Sequence, residues 1–219
     1  MNLPARRFPR WTRRILREHG FDKSNTLAVV VTCRDDICSP FFQDLMRSWG
    51  GGFDGRALAG MPWLGRTSWT AALRNAPQSE GRSRLVIVHL AHIGMDPTPG
   101  LTRRGVGGVP TCGSLSALLT DPGEGKNIQL NDPEQSLLRL RLRQVVDKGT
   151  PRPSTLTELT AVVREMALSD LQAQLTEVLD PARCDYAVFS GVLEHHKAED
   201  RIALSHAEAR VGGKAQSLI

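Results

Sequence analysis

The chain has 219 residues, of which 40% are hydrophobic and 23% charged, a composition typical of a folded globular domain rather than a disordered chain. No apolar run approaches the roughly 18 residues that a helix needs to span a bilayer, and four cysteines in this length are too few for a small disulfide-stabilised domain. The net charge of +5 raises the question of nucleic-acid binding.

The positive charge is concentrated at the start of the chain. Residues 1–20 contain six arginines and one glutamate, so the rest of the chain is near neutral and nucleic-acid binding is not expected of it. Within this segment Phe8, Trp11, Ile15 and Leu16 recur at helical spacing, which favours a short amphipathic helix docked on the body. An organelle transit peptide and a contact with nucleic acid or another anionic surface are the alternatives. We divide the chain into a basic N-terminal arm or helix, residues 1–20, and a single domain, residues 21–219.

The sequence shows no hydrophobic secretory segment at its start. We therefore expect a cytoplasmic protein without membrane contact, with organelle targeting by the arginine-rich segment left open. In such a compartment its cysteines are reduced thiols, and reduced cysteines in an intracellular protein favour metal binding or catalysis. The four thiols are Cys33, Cys38, Cys112 and Cys184.

The first half of the chain reads as a strand, a helix and a loop. The apolar, β-branched run TLAVVVT predicts a buried parallel strand over 26–32. A helix is expected over 40–49, because a proline at 40 fits the first helical turn. Residues 50–65 are dense in glycine and predict a loop whose backbone turns tightly or approaches something closely.

The second half continues the alternation of strands and helices. A strand is predicted over 84–90, followed by a glycine- and proline-rich loop over 97–110. Asp132, Pro133 and Gln135 have the spacing of a capped helix start, and a longer helix is expected over 154–179 with Thr155 and Glu158 as its capping box. A third strand is predicted over 186–193. This order favours an α/β fold with a mostly parallel sheet.

Residues able to carry chemistry follow the first two predicted strands. Cys33 and Asp35 come directly after the first strand and His92 follows the second. In open α/β sheets, ligand sites form beyond the carboxyl ends of the strands. Two thiolates and an imidazole are a common zinc ligand set, which makes Cys33, His92 and Cys112 candidate ligands. The alternative is that both cysteines are small buried hydrophobic residues and that His92 is a hydrogen-bonded loop residue.

Three segments resemble a known family. They are Cys33-Arg34-Asp35 at a strand end, the block Gly60-Met61-Pro62-Trp63-Leu64-Gly65-Arg66-Thr67, and His92-Ile93-Gly94 followed by Cys112-Gly113. In order and spacing they resemble the limiting-carbon-dioxide-inducible protein B/C (LCIB/LCIC) family, a divergent branch of the β-carbonic anhydrases. The likeness covers residues 20–120, and 187–192 (AVFSGV) stands where the family has its last strand.

The resemblance implies a β-carbonic-anhydrase-like fold, with a central, mostly parallel sheet flanked by helices, and a homodimer. It also implies one zinc ion held by Cys33, His92 and Cys112, and reversible hydration of carbon dioxide to bicarbonate by zinc-bound hydroxide. Asp35 would orient that hydroxide. An apolar wall for carbon dioxide would be formed by Trp63, Leu64 and Trp69.

One departure from the family concerns the partner of Asp35. Similar proteins carry an arginine four residues after this aspartate, where this chain has Ser39. Without it, Asp35 could become a fourth ligand, and a zinc ion closed by four protein ligands cannot activate water. Three other arginines are candidates to replace it, namely Arg34, Arg47 and Arg66, of which Arg66 is the assigned catalytic residue. The rival hypothesis is a non-catalytic zinc-containing homologue that senses bicarbonate or acts as a structural partner.

Other residues compete for the ligand role. Cys38 lies close to Cys33 in sequence, and His89 lies three residues before His92. Strand alternation places residues 89 and 92 on opposite faces of the sheet, so both cannot easily bind one ion. His195 and His196 could move protons, but we expect them to be exposed loop residues.

Overall fold

The computed structural model describes residues 1–95, 112–121 and 128–219, so the loop predicted over 97–110 lies outside the described residues. Its helices are α1 Phe8–Arg17, α2 Ser39–Ser48, α3 Gly65–Asn75, α4 Gly113–Thr120, α5 Pro133–Asp147 and α6 Leu156–Val178. Its strands are β1 Asn2–Pro4, β2 Leu27–Thr32, β3 Gly52–Asp54, β4 Gln78–Ser79, β5 Arg82–Gly94, β6 Cys184–His195, β7 Arg201–Val211 and β8 Lys214–Ser217. None of the helices in these ranges is both long and apolar enough to cross a membrane.

The eight strands form one mixed sheet in the order β1-β7-β6-β5-β2-β3, with β4 on β5 and β8 on β7. The centre is parallel, because β2 pairs in parallel with β3 and β5, and β5 pairs in parallel with β6. The remaining pairings are antiparallel. The predicted α/β fold with a parallel central sheet is confirmed, and the three predicted strands are β2, β5 and β6. The antiparallel half of the sheet was not predicted.

The two faces of the sheet bury separate hydrophobic clusters. Alternate residues of β2 fall in different clusters: Ala28 and Val30 in the first, Val29 and Val31 in the second. Because successive side chains of a strand point to opposite faces, the two clusters lie on opposite sides of the sheet. The first contains side chains from α1, α2, α4 and the start of α6, and the second contains side chains from α3 and the end of α6.

The basic N-terminal segment packs into the same core as the rest of the chain. The helix predicted there is α1, and its residues Phe8 and Leu16 are fully buried in the first cluster. Ahead of it, β1 pairs with β7 at the edge of the sheet and Leu3 joins the first cluster. Residues 1–20 therefore contribute both a strand and a helix to the domain.

The two helix starts that the sequence predicted are present, but only one carries its predicted cap. At the start of α6, the Thr155 side chain accepts a hydrogen bond from the Glu158 backbone N–H, and the Glu158 carboxylate accepts one from the Thr155 backbone N–H. At the start of α5, Asp132 makes no side-chain cap. Gln135 instead accepts a hydrogen bond from Ser114 Oγ at 2.6 Å, which ties α5 to α4.

The glycine-rich segment 50–65 is not a continuous loop. It contains the short strand β3 and a single 3-10 turn, Leu58–Gly60, which brings the chain back against the sheet. Gly60 has φ +76°, and a Cβ atom there would lie 2.7 Å from the Leu90 carbonyl oxygen and 3.6 Å from the Cys33 nitrogen. Only glycine fits this combination of left-handed backbone and close approach.

We predict that Gly60→Ala lowers the free energy of unfolding by about 3 kcal/mol, because left-handed strain adds to a clash with the strand backbone. Gly65→Ala is the matched control, since Gly65 has φ +61° and nothing within 4 Å of its added Cβ. The control should lose only about 1 kcal/mol. Denaturant unfolding of both variants measures the difference, and equal losses would contradict the role given to the close approach.

Candidate metal centre

The chain brings Cys33, His92 and Cys112 together from three elements. Cys33 follows β2 and forms an isolated bridge with Ala57, His92 lies near the end of β5, and Cys112 is the N-cap of α4. The ligand atoms of Cys33, His92 and Cys112 all lie within 4.8 Å of one another. Donor atoms around a tetrahedral zinc ion are about 3.5 to 3.8 Å apart, so small side-chain movements would complete the site.

All three side chains are almost inaccessible to solvent, with exposures of 5% for Cys33 and 1% for His92 and Cys112. The Cys112 thiol donates a hydrogen bond to the Cys33 sulfur, and this bond, assisted by the nearby His92 ring, lowers the pKa of Cys33 against the opposing effect of burial. The same interaction, together with burial, raises the pKa of Cys112. The pair thus favours one thiolate, the form that binds metal.

His92 supplies an independent sign of a ligand site. Within the described residues, neither of its ring nitrogens has a hydrogen-bond partner of ordinary geometry, although the ring is 1% exposed. Buried polar atoms in native proteins are nearly always satisfied, and an exception calls for an explanation such as an ion. Two sulfurs and one such nitrogen fit zinc by donor chemistry.

Asp35 lies beside this cluster but is not part of it. It is the N-cap of the short 3-10 helix Asp36–Cys38, and its Oδ1 accepts a hydrogen bond from the Ile37 backbone at 3.2 Å. Its carboxylate is outside the set of atoms that lie within 4.8 Å of one another. In this conformation the carboxylate caps the turn.

The arginines that the sequence offered as partners of Asp35 have other partners. Arg34 pairs with Glu134 at 2.6 Å, Arg47 pairs with Asp44, and Arg66, which is 75% exposed, pairs with Glu177 at 2.6 Å. The structure therefore places Arg66 on the surface of α3, in an ion pair with the far end of α6, and not beside Asp35.

A different arginine, Arg56, contacts Ser39. Arg56 Nη1 donates to Ser39 Oγ at 3.3 Å, its guanidinium lies 3.9 Å from the centre of the Phe42 ring, and Asp54 pairs with it at 3.0 Å. Sequence reasoning missed Arg56 because it lies 17 residues from Ser39 and in no motif. Arg56 follows β3 by two residues, and the fold of the chain there brings it to Ser39.

The three residues assigned to an apolar wall divide between the two faces of the sheet. Trp63 packs against the first cluster, which contains Cys33 and Cys112. Leu64 and Trp69 belong to the second cluster, on the opposite face. Fully buried Met61 joins Trp63 on the cysteine side, and it was not singled out in the sequence.

Trp69 has a structural partner that accounts for its burial. Its Nε1 donates to Gln174 Oε1 at 2.8 Å, and Gln174 Nε2 donates to the Pro62 carbonyl at 2.7 Å. Trp69 and α6 thereby hold the backbone of the 60–63 segment against the sheet. The role of Trp69 in this structure is to support the loop beside the cysteines.

The competing histidines also differ from one another. His89 is fully buried, and its Nδ1 lies 2.8 Å from Ser190 Oγ on β6, apart from the His92 set. The expectation that His195 is an exposed loop residue is wrong: it lies in β6 and is 6% exposed. It joins Cys38 and His92 in a second group of potential metal ligands. His196 is partly buried and lies 3.4 Å from Glu194.

Fold and site together define an α/β protein with a candidate metal centre of two cysteines and one histidine at the carboxyl edge of its parallel strands. Residues 2–207 match the family described as limiting CO2-inducible proteins B/C beta carbonic anhydrases. The chain belongs to this family. A comparison with curated proteins finds no match to the sequence.

Solved structures agree on the fold. The crystal structure of the limiting CO2-inducible protein LCIB is similar with a TM-score of 0.83 and 24% identity, over 100% of this chain and 94% of that one. PtLCIB4, a homolog of LCIB, is similar with a TM-score of 0.80 and 22% identity, over 99% of this chain and 94% of that one. At these identities the likeness shows the fold alone, and with the family match it confirms the predicted α/β fold of the β-carbonic-anhydrase type.

We predict that His89 makes the folded state sensitive to acid. Burial, reinforced by the nearby charge of Arg164, lowers the pKa of His89 from 6.5 to about 4. Between these values the unfolded chain binds a proton that the folded chain does not, so stability falls as pH drops from 6.5 to 4, on the order of 3 kcal/mol in all. Denaturant unfolding across this range should show a flatter profile for His89→Gln, while His19→Gln, on the surface after α1, keeps the original profile. Identical profiles for all three proteins would contradict this assignment.

Proposed function

We propose that the protein catalyses the zinc-dependent, reversible hydration of carbon dioxide to bicarbonate. The observation that carries this proposal is the buried set of Cys33, His92 and Cys112, whose ligand atoms lie within 4.8 Å of one another, in a chain of the limiting CO2-inducible B/C β-carbonic anhydrase family. The resemblance on which zinc was expected and the geometry of the three side chains point to the same residues.

The three residues would hold zinc through two sulfurs and one nitrogen, which leaves one tetrahedral position without a protein ligand. A zinc ion bound in this way lowers the pKa of a coordinated water from 15.7 towards 7 and so supplies a nucleophile at neutral pH. The hydrogen bond from the Cys112 thiol lowers the pKa of Cys33 and so favours its thiolate, the form that binds metal.

Asp35 is the residue we assign to orient the attacking water. Its Oδ1 is fixed by the Ile37 N–H, and the described residues provide no protein hydrogen bond to Oδ2. A carboxylate held in this way can accept a hydrogen bond from the water through its second oxygen. The cap also restrains Asp35 from turning onto the cluster, a restraint that similar proteins obtain from an arginine.

The surroundings of the cluster suit a small apolar substrate. Met61 and Trp63 lie on the same face of the sheet as Cys33 and Cys112, and we propose that their thioether and indole groups supply apolar surface for carbon dioxide. The proposal also includes a homodimer, on the basis of the family resemblance, with carbon dioxide and bicarbonate as the small-molecule partners.

Stopped-flow hydration of carbon dioxide by zinc-loaded protein tests the proposal. We expect a metal-dependent rate in the unsubstituted protein, and Cys112→Ser should lose both the rate and tight zinc binding. Cys184→Ser is the matched control, because Cys184 is equally buried but lies in the second cluster, where its thiol donates to the Asp185 carbonyl at 3.5 Å. Absence of hydration in protein containing one zinc per chain would overturn the enzyme proposal and favour the non-catalytic homologue.

Asp35→Asn separates orientation of water from capping of the turn. Asparagine is as good an N-cap as aspartate, so stability and zinc content should be unchanged while the hydration rate falls at least tenfold. Asp35→Ala should lose the cap as well, at a cost of about 1 kcal/mol. A fully active, zinc-loaded Asp35→Asn would contradict the role given to the carboxylate.

A further inference from the structure

The outer face of α1 carries a stripe of exposed arginines. Arg7 stands at the N-cap position of this helix, and Arg10 and Arg14 follow it at intervals of three and four residues. All three are exposed, and residues with this spacing share one face of a helix. Leu16, on the other side of the helix, is fully buried in the core. We refer to Arg7, Arg10 and Arg14 as the arginine stripe.

The fold supplies the arginine stripe with little compensating charge. In the described part of the chain none of its three arginines forms an ion pair with a carboxylate, although the neighbouring Arg6 pairs with Glu199. Residues 96–111 and 122–127, outside that part, contain two acidic residues, fewer than the arginines of the stripe. The first turn of α1 has no acidic residue and no side-chain cap, so the stripe adds to the positive end of the helix dipole. An anion bound there would relieve this repulsion.

The arginine stripe forms one wall of an open groove of 960 Å³. The groove is also lined by Leu3 and Pro4 of β1 and by Trp11. The Trp11 ring is only partly buried and is held in place by its neighbours, because its centroid lies 5.8 Å from that of Phe8 and 5.7 Å from that of Phe189. The groove therefore offers fixed indole surface beside three guanidinium groups, which suits a ligand with both apolar and acidic groups.

The length of the arginine stripe limits the kind of anion that fits. Its first and last residues are seven positions apart, which is about 10 Å along a helix. At its N-terminal end the neighbouring open pocket is lined by Asp44, Glu199 and Asp200, and beyond its C-terminal end Glu18 and Asp22 are exposed. A polynucleotide extending past the stripe would meet these carboxylates, whereas a short acidic peptide meets the arginines alone. The charge distribution therefore favours a peptide.

We propose that this groove binds an acidic amphipathic helix of a partner protein, with an apolar side chain against Trp11 and carboxylates on the arginine stripe. Carboxylates three or four residues apart on a helix repeat at the same spacing as the arginines, and an amphipathic helix in a groove is a common mode of peptide recognition. Arginine suits the role because its planar guanidinium can bind a carboxylate through two parallel hydrogen bonds. The surface shares no residue with the candidate metal centre.

Fluorescence anisotropy of a labelled peptide tests the proposal. The probe is a helical peptide with leucine and glutamate on one face, titrated with the full chain, and its affinity should fall steeply as salt screens the exposed charges. Arg10→Glu combined with Arg14→Glu should weaken binding by about tenfold or more. Arg74→Glu combined with Arg183→Glu is the control of equal net charge, because both arginines are exposed and lie outside α1. The control should bind like the unsubstituted protein.

Competition against other anions identifies the class of partner. Single-stranded oligothymidine and phosphatidylserine vesicles should displace the peptide poorly, and the same peptide with lysine in place of glutamate should not bind. Absence of peptide binding at low salt, or equal weakening in the two double variants, would overturn the groove as a binding site. Tighter binding of the oligonucleotide or the vesicles than of the peptide would overturn the assignment to an acidic helix. None of these readouts depends on zinc or on hydration.

Discussion

The parallel pairing of β2 with β5 is the constraint on which the candidate centre depends. Its register pairs Thr32, the last residue of β2, with Leu90 of β5. Cys33 is therefore the first residue after β2, and His92 lies two residues after Leu90 in β5. The 3-10 turn at Leu58–Gly60 closes over this point, with Gly60 packed against the Leu90 carbonyl. Glu134, at the start of α5, fixes the turn by accepting the Leu58 N–H at 2.9 Å while it pairs with Arg34. A shift of β2 by one residue would turn its side chains to the opposite face and separate the cysteines from the histidine.

The parts of this arrangement that depend on local pattern could be predicted from the sequence. The runs at β2, β5 and β6 are apolar and β-branched because both faces of these strands are buried, and the carboxyl-end rule then indicates Cys33 and His92. The antiparallel strand β7 was missed because it alternates buried residues such as Ile202 and Leu204 with polar ones, and several charges fall within it. The buried position of His195 could have been inferred by applying the carboxyl-end rule to the third strand as well.

The parts that depend on tertiary packing could not be predicted from sequence. Leu64 follows Trp63 directly, yet the start of α3 turns it to the opposite side of the sheet, so nearness in a motif did not mean nearness in space. The same holds for the arginines. Arg66 stands within the family motif but pairs with Glu177, whereas Arg56 stands outside it and reaches Ser39. The surrounding fold determines which group a long arginine side chain pairs with, and spacing along the chain carries little information about that partner.

The burial of the three ligand side chains has a kinetic consequence. With Cys33, His92 and Cys112 each at or below 5% exposure, no chelator can contact the donor atoms while the native packing is intact. Loss of a bound ion would then proceed at the rate of local opening and be nearly independent of the concentration of the competing chelator. Loading of an empty site would be governed by the same opening, so that a slow approach to full occupancy would measure how often the packing around the site opens.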